Sequence, residues 1–219
     1  MGSSPSIDWT WRYAKGDIMA CNAAHDFLLK NKTIPRYAML WDPVDVLNDF
    51  ITPNDHVAYL IASRCHPNIF KRFENNNVYV WHALGDTNIQ TILEQHRRME
   101  PMIYGGSTAV TRGMFLAVAM GYLDLHIFGI DSSVDGGSHI RKSVVREEYM
   151  EIFCDGRWFN TTPWLAVQAE DFKRIVPYLV NVGVKMTIYG DGLIPHIAKG
   201  FGLTVHDRED ELKKKVITN

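Results

Sequence analysis

Apolar residues along the chain fall into two rhythms. Short, nearly continuous runs rich in β-branched and aromatic residues predict buried strands at "DIMACN" (Asp17 to Asn22), "RYAMLWD" (Arg36 to Asp42), "HVAYLIAS" (His56 to Ser63), "NVYVWH" (Asn77 to His82), "LHIFGID" (Leu125 to Asp131) and "VKMTIYG" (Val184 to Gly190). Between them lie helical segments. "AAHDFLLKN" is one, and "PVDVLNDF" reads as a short helix entered through Pro43, a favourable first-turn residue. "HPNIFKRFE" carries Ile69, Phe70 and Phe73 on one face, "TNIQTILEQHRRM" has a thinner apolar face, and a longer helix from about Thr108 to Gly121 is closed by its glycine. Strand and helix alternating at this spacing imply right-handed crossovers and a mainly parallel sheet with helices on both faces.

The rhythm breaks after Asp131. "EYMEIFCDGRWFNTT" places Asp155-Gly156 between two β-prone runs, a strong local signal for a hairpin. A helix over Pro163 to Asn181, another near Leu193 to Lys199 and a polar helix over Arg208 to Lys215 complete the expected elements. No repeat, low-complexity tract or linker interrupts the 219 residues, so the expectation is one Rossmann-like domain over 1–219 with a β-hairpin insertion.

Composition excludes some classes of function. Hydrophobic residues make up 46% and charged residues 22%, an ordinary globular balance, and the net charge of −2 argues against a general nucleic-acid binder. The run Lys213-Lys214-Lys215 reads as a solvated helix end. Cys21, Cys65 and Cys154 are isolated, without the spacing of a disulfide framework or a zinc site, which fits a reducing compartment. No apolar run approaches bilayer length and the first residues lack a signal-peptide profile. A cytoplasmic protein with no membrane partner is the expectation.

In a doubly wound sheet, ligands bind beyond the carboxyl ends of the strands. Asn22, Asp42, Ser63, His82 and Asp131 each stand at such an end, although each could equally cap the next helix or make a turn. Gly105, Gly106, Ser107 and Thr108 precede a helix, where backbone N–H groups and the helix dipole suit a phosphate; a plain turn with a Ser or Thr cap is the alternative. Gly2, Ser3, Ser4 and Ser6 belong to "GSSPSID", a small-residue loop of the kind that cradles phosphate; a disordered terminus is the alternative. His139 lies in the glycine-rich "DGGSHIRKS", beside Arg141 and Lys142, where an imidazole can act as general acid or base or neutralise a phosphate; a solvent-exposed loop histidine is the alternative. The other histidines show no HExxH-type spacing. Trp41 and Trp81 are core residues or platforms for a flat heterocycle.

These residues carry a resemblance. "SSPSID…DIMACNAAHDFLL…IPRYAMLWDP" and "GGSTAVTRGMFLAVAMGYLDLHIFGIDSS" are similar to the 6-hydroxymethylpterin diphosphokinase-like family, as are "GGSH" at Gly136 to His139 and "TTPWLAVQAEDF" further on. The resemblance spans about Gly2 to Gly190. It implies a transferase using ATP and magnesium to place a diphosphate on a 6-hydroxymethyl-dihydropterin-like acceptor. Gly105, Gly106, Ser107 and Thr108, with the Gly2 to Ser6 loop, would hold donor phosphates, and Asn22 and Ser63 the ribose or base edges. Asp42 and Asp131 would hold Mg2+, with Asp131 and His139 catalytic. Bacterial relatives accompany flagellin glycosylation. The central stretch is also similar to bacterial CMP-sialic acid sialyltransferases, whose tyrosine pair would fall at His126 and Ser133 here. A CMP-sugar glycosyltransferase and a noncatalytic nucleotide-binding accessory protein stay open as alternatives.

Overall fold

A computed structural model describes residues 1–134 and 148–208. They group into two compact units, one of Met1–Ala14 with Tyr122–Asn219 and the other of Lys15–Gly121.

The Lys15–Gly121 unit is a five-stranded parallel sheet in the order β1-β2-β3-β4-β5. The strands are β1 (Met19–Cys21), β2 (Tyr37–Leu40), β3 (Ala58–Ala62), β4 (Val78–Ala83) and β5 (Met102–Ile103). Its helices are α2 (Ala24–Lys30), α3 (Pro67–Arg72), α4 (Thr87–Gln95) and α5 (Ala109–Ala119). The register aligns Ala20, Ala38 and Tyr59 across one face and Cys21, Met39 and Leu60 across the other. The first face receives α2, since the Tyr59 hydroxyl lies 3.2 Å from His25 Nε2, and Phe73, just past α3, packs on the Tyr59 ring at 4.3 Å. The second face receives α5, where a Cβ added at Gly113 would stand 3.1 Å from Cys21 Sγ and 3.3 Å from the Met39 methyl. Helices therefore cover both faces, as the near-continuous apolar runs require. Burial runs unbroken from Val110 to Leu116, so the first two turns of α5 are enclosed on all sides and not amphipathic.

The other unit opens with α1 (Ile7–Thr10) and a 3₁₀ turn at Trp11–Tyr13. Its parallel sheet is ordered β10-β9-β6, from β6 (Asp124–Phe128), β9 (Lys185–Tyr189) and β10 (Thr204–His206), with helices α6 (Pro163–Asn181) and α7 (Leu193–Gly200). The antiparallel pair β7 (Met150–Cys154) and β8 (Arg157–Thr161) is the expected hairpin. Asp155 and Gly156 at its tip have φ of 43° and 85°, the left-handed pair a two-residue hairpin turn demands. Phe172, Ile175, Val176 and Leu179 form the buried stripe of α6. Among the described residues no helix is long and apolar enough to cross a membrane.

Local pattern misjudged several segments. "PVDVLNDF" is not an α-helix but a loop with one 3₁₀ turn at Leu47–Asp49. Asp42 and Asp45 explain this. Asp42 Oδ1 accepts from the Val44 N–H at 3.0 Å, and Asp45 accepts from the side chains of Asn48 and, at 2.5 Å, Asn68, so polar side chains hold the backbone in turns. The short strands β5 and β10 carry too few residues to show a period, and α1 lies in what reads as a small-residue loop. Of the expected polar helix over Arg208 to Lys215, all but Arg208 lies outside the described residues.

Candidate functional site

Because β1 to β4 are neighbours in one parallel sheet, their carboxyl ends present Asn22, Asp42, Ser63 and His82 side by side. Asn22 takes a left-handed φ of 47°, which asparagine tolerates. Its Oδ1 accepts from the Trp41 N–H at 3.0 Å and its Nδ2 donates to the Trp41 carbonyl at 3.4 Å, tying the ends of β1 and β2 together. Asp42 is half-buried, with one carboxylate oxygen on the Val44 N–H.

Ser63 and His82 meet at the carboxyl ends of β3 and β4. The register that pairs Ala62 with Trp81 sets the next two residues opposite each other, and Ser63 Oγ lies 2.9 Å from His82 Nδ1. The other ring nitrogen, Nε2, lies 2.6 Å from Glu100 Oε2. With Nε2–H donating to Glu100, Nδ1 is left to accept a proton, the arrangement of a general base oriented by a carboxylate. That hydrogen bond, helped by the neighbouring Arg98, holds the Glu100 carboxyl below its usual range. A cavity of about 560 Å³ adjoins these groups, lined by Ser63, His82, Ile89, Leu93, His96 and Glu100 among others.

The glycine turn before α5 is built from below by Arg112. Thr108 caps the helix, its Oγ1 accepting from the Thr111 N–H while the Thr111 hydroxyl accepts from the Thr108 N–H. Arg112 is only 7% exposed, and its guanidinium donates to the carbonyls of Leu84 at 3.3 Å, Ile103 at 2.8 Å and Gly106 at 3.2 Å. The same guanidinium lies 4.7 Å from the centre of the Trp41 ring, and that of Arg64 lies 5.6 Å from it. Two cations thus converge on Trp41 at the strand ends, and one of them, Arg64, also lies 3.9 Å from the Asp86 carboxylate. Of the two readings of Trp41, core residue or platform for a flat heterocycle, neither included the two guanidinium groups that its ring meets.

Packing by itself requires a glycine at position 105. Its φ is +156°, and an added Cβ would stand 2.6 Å from the Arg112 Cα, a backbone atom that cannot give way. Gly105→Ala is therefore expected to lower stability by about 2–4 kcal/mol, from overpacking plus strain. Gly85→Ala, where φ is +91° and no atom lies within 4 Å, should show the conformational cost alone. Urea unfolding of both variants separates the two contributions.

In the other unit the Gly2 to Ser6 loop sits on the carboxyl end of β6. Gly2 N–H donates to the Phe128 carbonyl at 2.8 Å and Ser4 N–H to that of Gly129 at 3.2 Å. Asp131 closes the loop: Oδ2 accepts from the Ser6 N–H at 2.7 Å and Oδ1 from the Ser6 hydroxyl at 2.6 Å. Asp131 is 3% exposed, and burial pushes its carboxyl up to about 6, against the opposing pull of the two Ser6 donors. An added Cβ at Gly190 would lie 2.6 Å from Asp131 Oδ1, so that glycine makes room for the clamp. Both carboxylate oxygens are thus committed to Ser6. His126 Nδ1 lies 3.0 Å from the Tyr189 hydroxyl, and Ser133 is buried at 2% exposure. His139, with Arg141 and Lys142, lies outside the described residues.

A family profile described as "6-hydroxymethylpterin diphosphokinase MptE-like" matches residues 2–137. The chain belongs to this MptE-like family. No curated protein and no solved structure matches it. The MptE-like span holds the Gly2 to Ser6 loop, all five strand-end residues and the Gly105 to Thr108 turn, and it stops short of His139 and of "TTPWLAVQAEDF". The family takes its name from a diphosphokinase, a transferase.

Sequence reasoning missed three charged residues of the MptE-like region. Arg112 did leave a signal, as a lone cation inside the apolar "TAVTRGMFLAVAMG", where only a buried and well-bonded role tolerates it. Glu100 and Arg64 left none, since each reaches its partner from a loop through sheet register alone. For a magnesium ion the fitting group is Asp42, a half-buried hard-oxygen donor with one oxygen on the main chain. A second cavity of the same unit, about 650 Å³, is lined by residues that precede or open strands, among them Arg36, Ala58 and Asn77, and also by His82 and Glu100. It reaches the His82 and Glu100 pair, which also lines the first cavity.

Proposed function

We propose that this protein transfers a diphosphate group from ATP to the hydroxymethyl group of a 6-hydroxymethyl-dihydropterin-like acceptor. The observation that carries the reading is the MptE-like match over residues 2–137, whose span includes the strand ends and the glycine turn. In such a transfer the acceptor oxygen attacks the β-phosphorus, the bond from that phosphorus to the oxygen bridging it to the α-phosphate breaks, and AMP leaves. The acceptor hydroxyl gives up its proton to a base. Little covalent work falls to the protein, so positioning and charge neutralisation dominate.

Gly105, Gly106, Ser107 and Thr108 are assigned the donor phosphates, with Arg112 and Arg64 supplying positive charge close by. Asn22 and Ser63 are assigned the ribose or base edges. Asp42 is assigned Mg2+, which would neutralise charge on the phosphates when bound. His82, oriented by Glu100, is one candidate for the proton of the acceptor hydroxyl, and His139 is the other. Asp131 is assigned to holding the Gly2 to Ser6 loop.

The test is AMP formation from ATP, Mg2+ and 6-hydroxymethyl-7,8-dihydropterin, with phosphorus NMR of the product. ATP with magnesium should raise the melting temperature, whereas CMP and CMP-sugars should not. Stabilisation by CMP-sugars alone would move the assignment to glycosyl transfer, and ATP binding without AMP formation to an accessory role. Gly106→Val is expected to remove ATP binding while the protein stays folded. Loss of the base should lower turnover by roughly 10²–10⁴-fold with little change in ATP affinity, so His82→Gln and His139→Ala assayed together identify which histidine it is.

A further inference from the structure

Away from these groups, the hairpin and α7 bring together three side chains of different ligand chemistry. Cys154 ends β7, Asp155 is the first turn residue and His196 lies in α7; their Sγ, carboxylate and ring-nitrogen atoms all fall within 4.8 Å of one another. Adjacent strand residues normally point to opposite faces. The left-handed φ of Asp155 overrides that rule, and its Oδ2 lies 3.8 Å from Cys154 Sγ. His196 is half-buried, with its ring 5.2 Å from that of Phe159, a fully buried residue of β8 that limits where the imidazole can move. Asp155 Oδ2 also lies 4.0 Å from where a Cβ on Gly200 would stand, at the carboxyl end of α7. A carboxylate beside the negative end of a helix is unfavourable unless a cation offsets both. The nearby ammonium of Lys173 is paired with Glu170 at 2.8 Å.

We infer that Cys154, Asp155 and His196 bind a divalent, thiophilic metal ion of the zinc class, fastening the tip of the hairpin to α7. A thiolate, an imidazole and a carboxylate are the donor types such an ion takes, and three protein ligands leave a fourth position for water. In a tetrahedral site with metal–ligand bonds of about 2.0–2.3 Å, ligand atoms stand roughly 3.3–3.8 Å apart. The sulfur–carboxylate pair is already at that spacing, and the longest pair needs to close by about 1 Å, within the range of a rotamer adjustment. Cys154 binds as thiolate and its proton passes to solvent. The chain itself hides the site, because His196 stands far downstream of Cys154 and no ligand pair has zinc-finger spacing.

The experiment is a Co2+ titration of the reduced full chain, with Zn2+ used for melting curves. One equivalent of Co2+ should produce tetrahedral ligand-field bands in the visible and a thiolate-to-cobalt charge-transfer band in the near ultraviolet. Cys154→Ser should abolish the charge-transfer band, and His196→Gln and Asp155→Asn should each weaken Co2+ binding by about tenfold or more. Zn2+ should raise the melting temperature of the wild type and leave that of Cys154→Ser unchanged. Far-ultraviolet circular dichroism of the metal-free variants checks that each is folded; should His196→Gln fail to fold, Asp155→Asn at the exposed hairpin tip gives the same readout. No charge-transfer band in the wild type, or one that survives Cys154→Ser through Cys21 or Cys65, would overturn the site.

Discussion

Arg112→Met is expected to lower the unfolding free energy by about 3–5 kcal/mol and to weaken ATP binding at least tenfold. Exchanging a buried charge for a similar-sized apolar side chain is often neutral when a carboxylate partner leaves with it. Here the partners are the main-chain carbonyls of Leu84, Ile103 and Gly106, which stay behind. Each loses a hydrogen bond to a charged donor, worth roughly 1.5–3 kcal/mol, and methionine offers nothing in return. The sum outweighs the desolvation relieved by removing the charge. Arg112→Lys keeps the charge but not the planar fork, so it should restore part of the ATP affinity and little of the stability. Urea unfolding and calorimetry on the three proteins provide the comparison. Wild-type stability in Arg112→Met would mean that the three carbonyls do not depend on the guanidinium.

The second large effect is a pH dependence carried by Asp131. Burial raises its folded-state carboxyl to about 6, above its ordinary value of 3.8. Between these values the folded protein holds a proton that the unfolded chain has released, so this group makes stability fall as pH rises through about 4 to 6. Its contribution is fully present below pH ~4, is lost by pH ~6–7, and amounts to order 3 kcal/mol at 1.36 kcal/mol per pKa unit. Other carboxylates titrate in the same range, so the quantity to measure is the difference in unfolding free energy between wild type and Asp131→Asn. That difference should shift by this amount against the wild type between pH 4 and 7. A difference flat across the window would mean that the Ser6 N–H and hydroxyl hold the carboxylate ionised throughout. Ser6→Ala removes one of those donors, and it should push the Asp131 carboxyl further up and steepen the decline.

The elements were largely legible in the order of residues because their causes are local. Pro163 at the first turn of α6, with Thr162 capping it, places the start of that helix, and Asp155-Gly156 announces the turn between β7 and β8. Where long-range polar contacts decide, the local pattern fails. The loop after Asp42 has an acceptable helical sequence, yet Asp45 is taken by Asn68 of α3 and the helix does not form.

The same division holds for the candidate site. Taken alone, the amino-acid sequence determined the alternating strands and helices, the strand-end polar residues, and the glycine pair before a capped helix. Each of these follows from side-chain periodicity, φ preference or capping within a few positions. Only the tertiary structure decided what those residues touch. Parallel register sets Ser63 against His82, and a loop then brings Glu100 to the far side of that ring. The fold buries Arg112 beneath the glycine turn and turns Asp131 onto Ser6, and it carries His196 to the tip of the hairpin, where β7 ends at Cys154. Distances of this kind depend on how separate segments pair and pack, and spacing along a chain does not encode them.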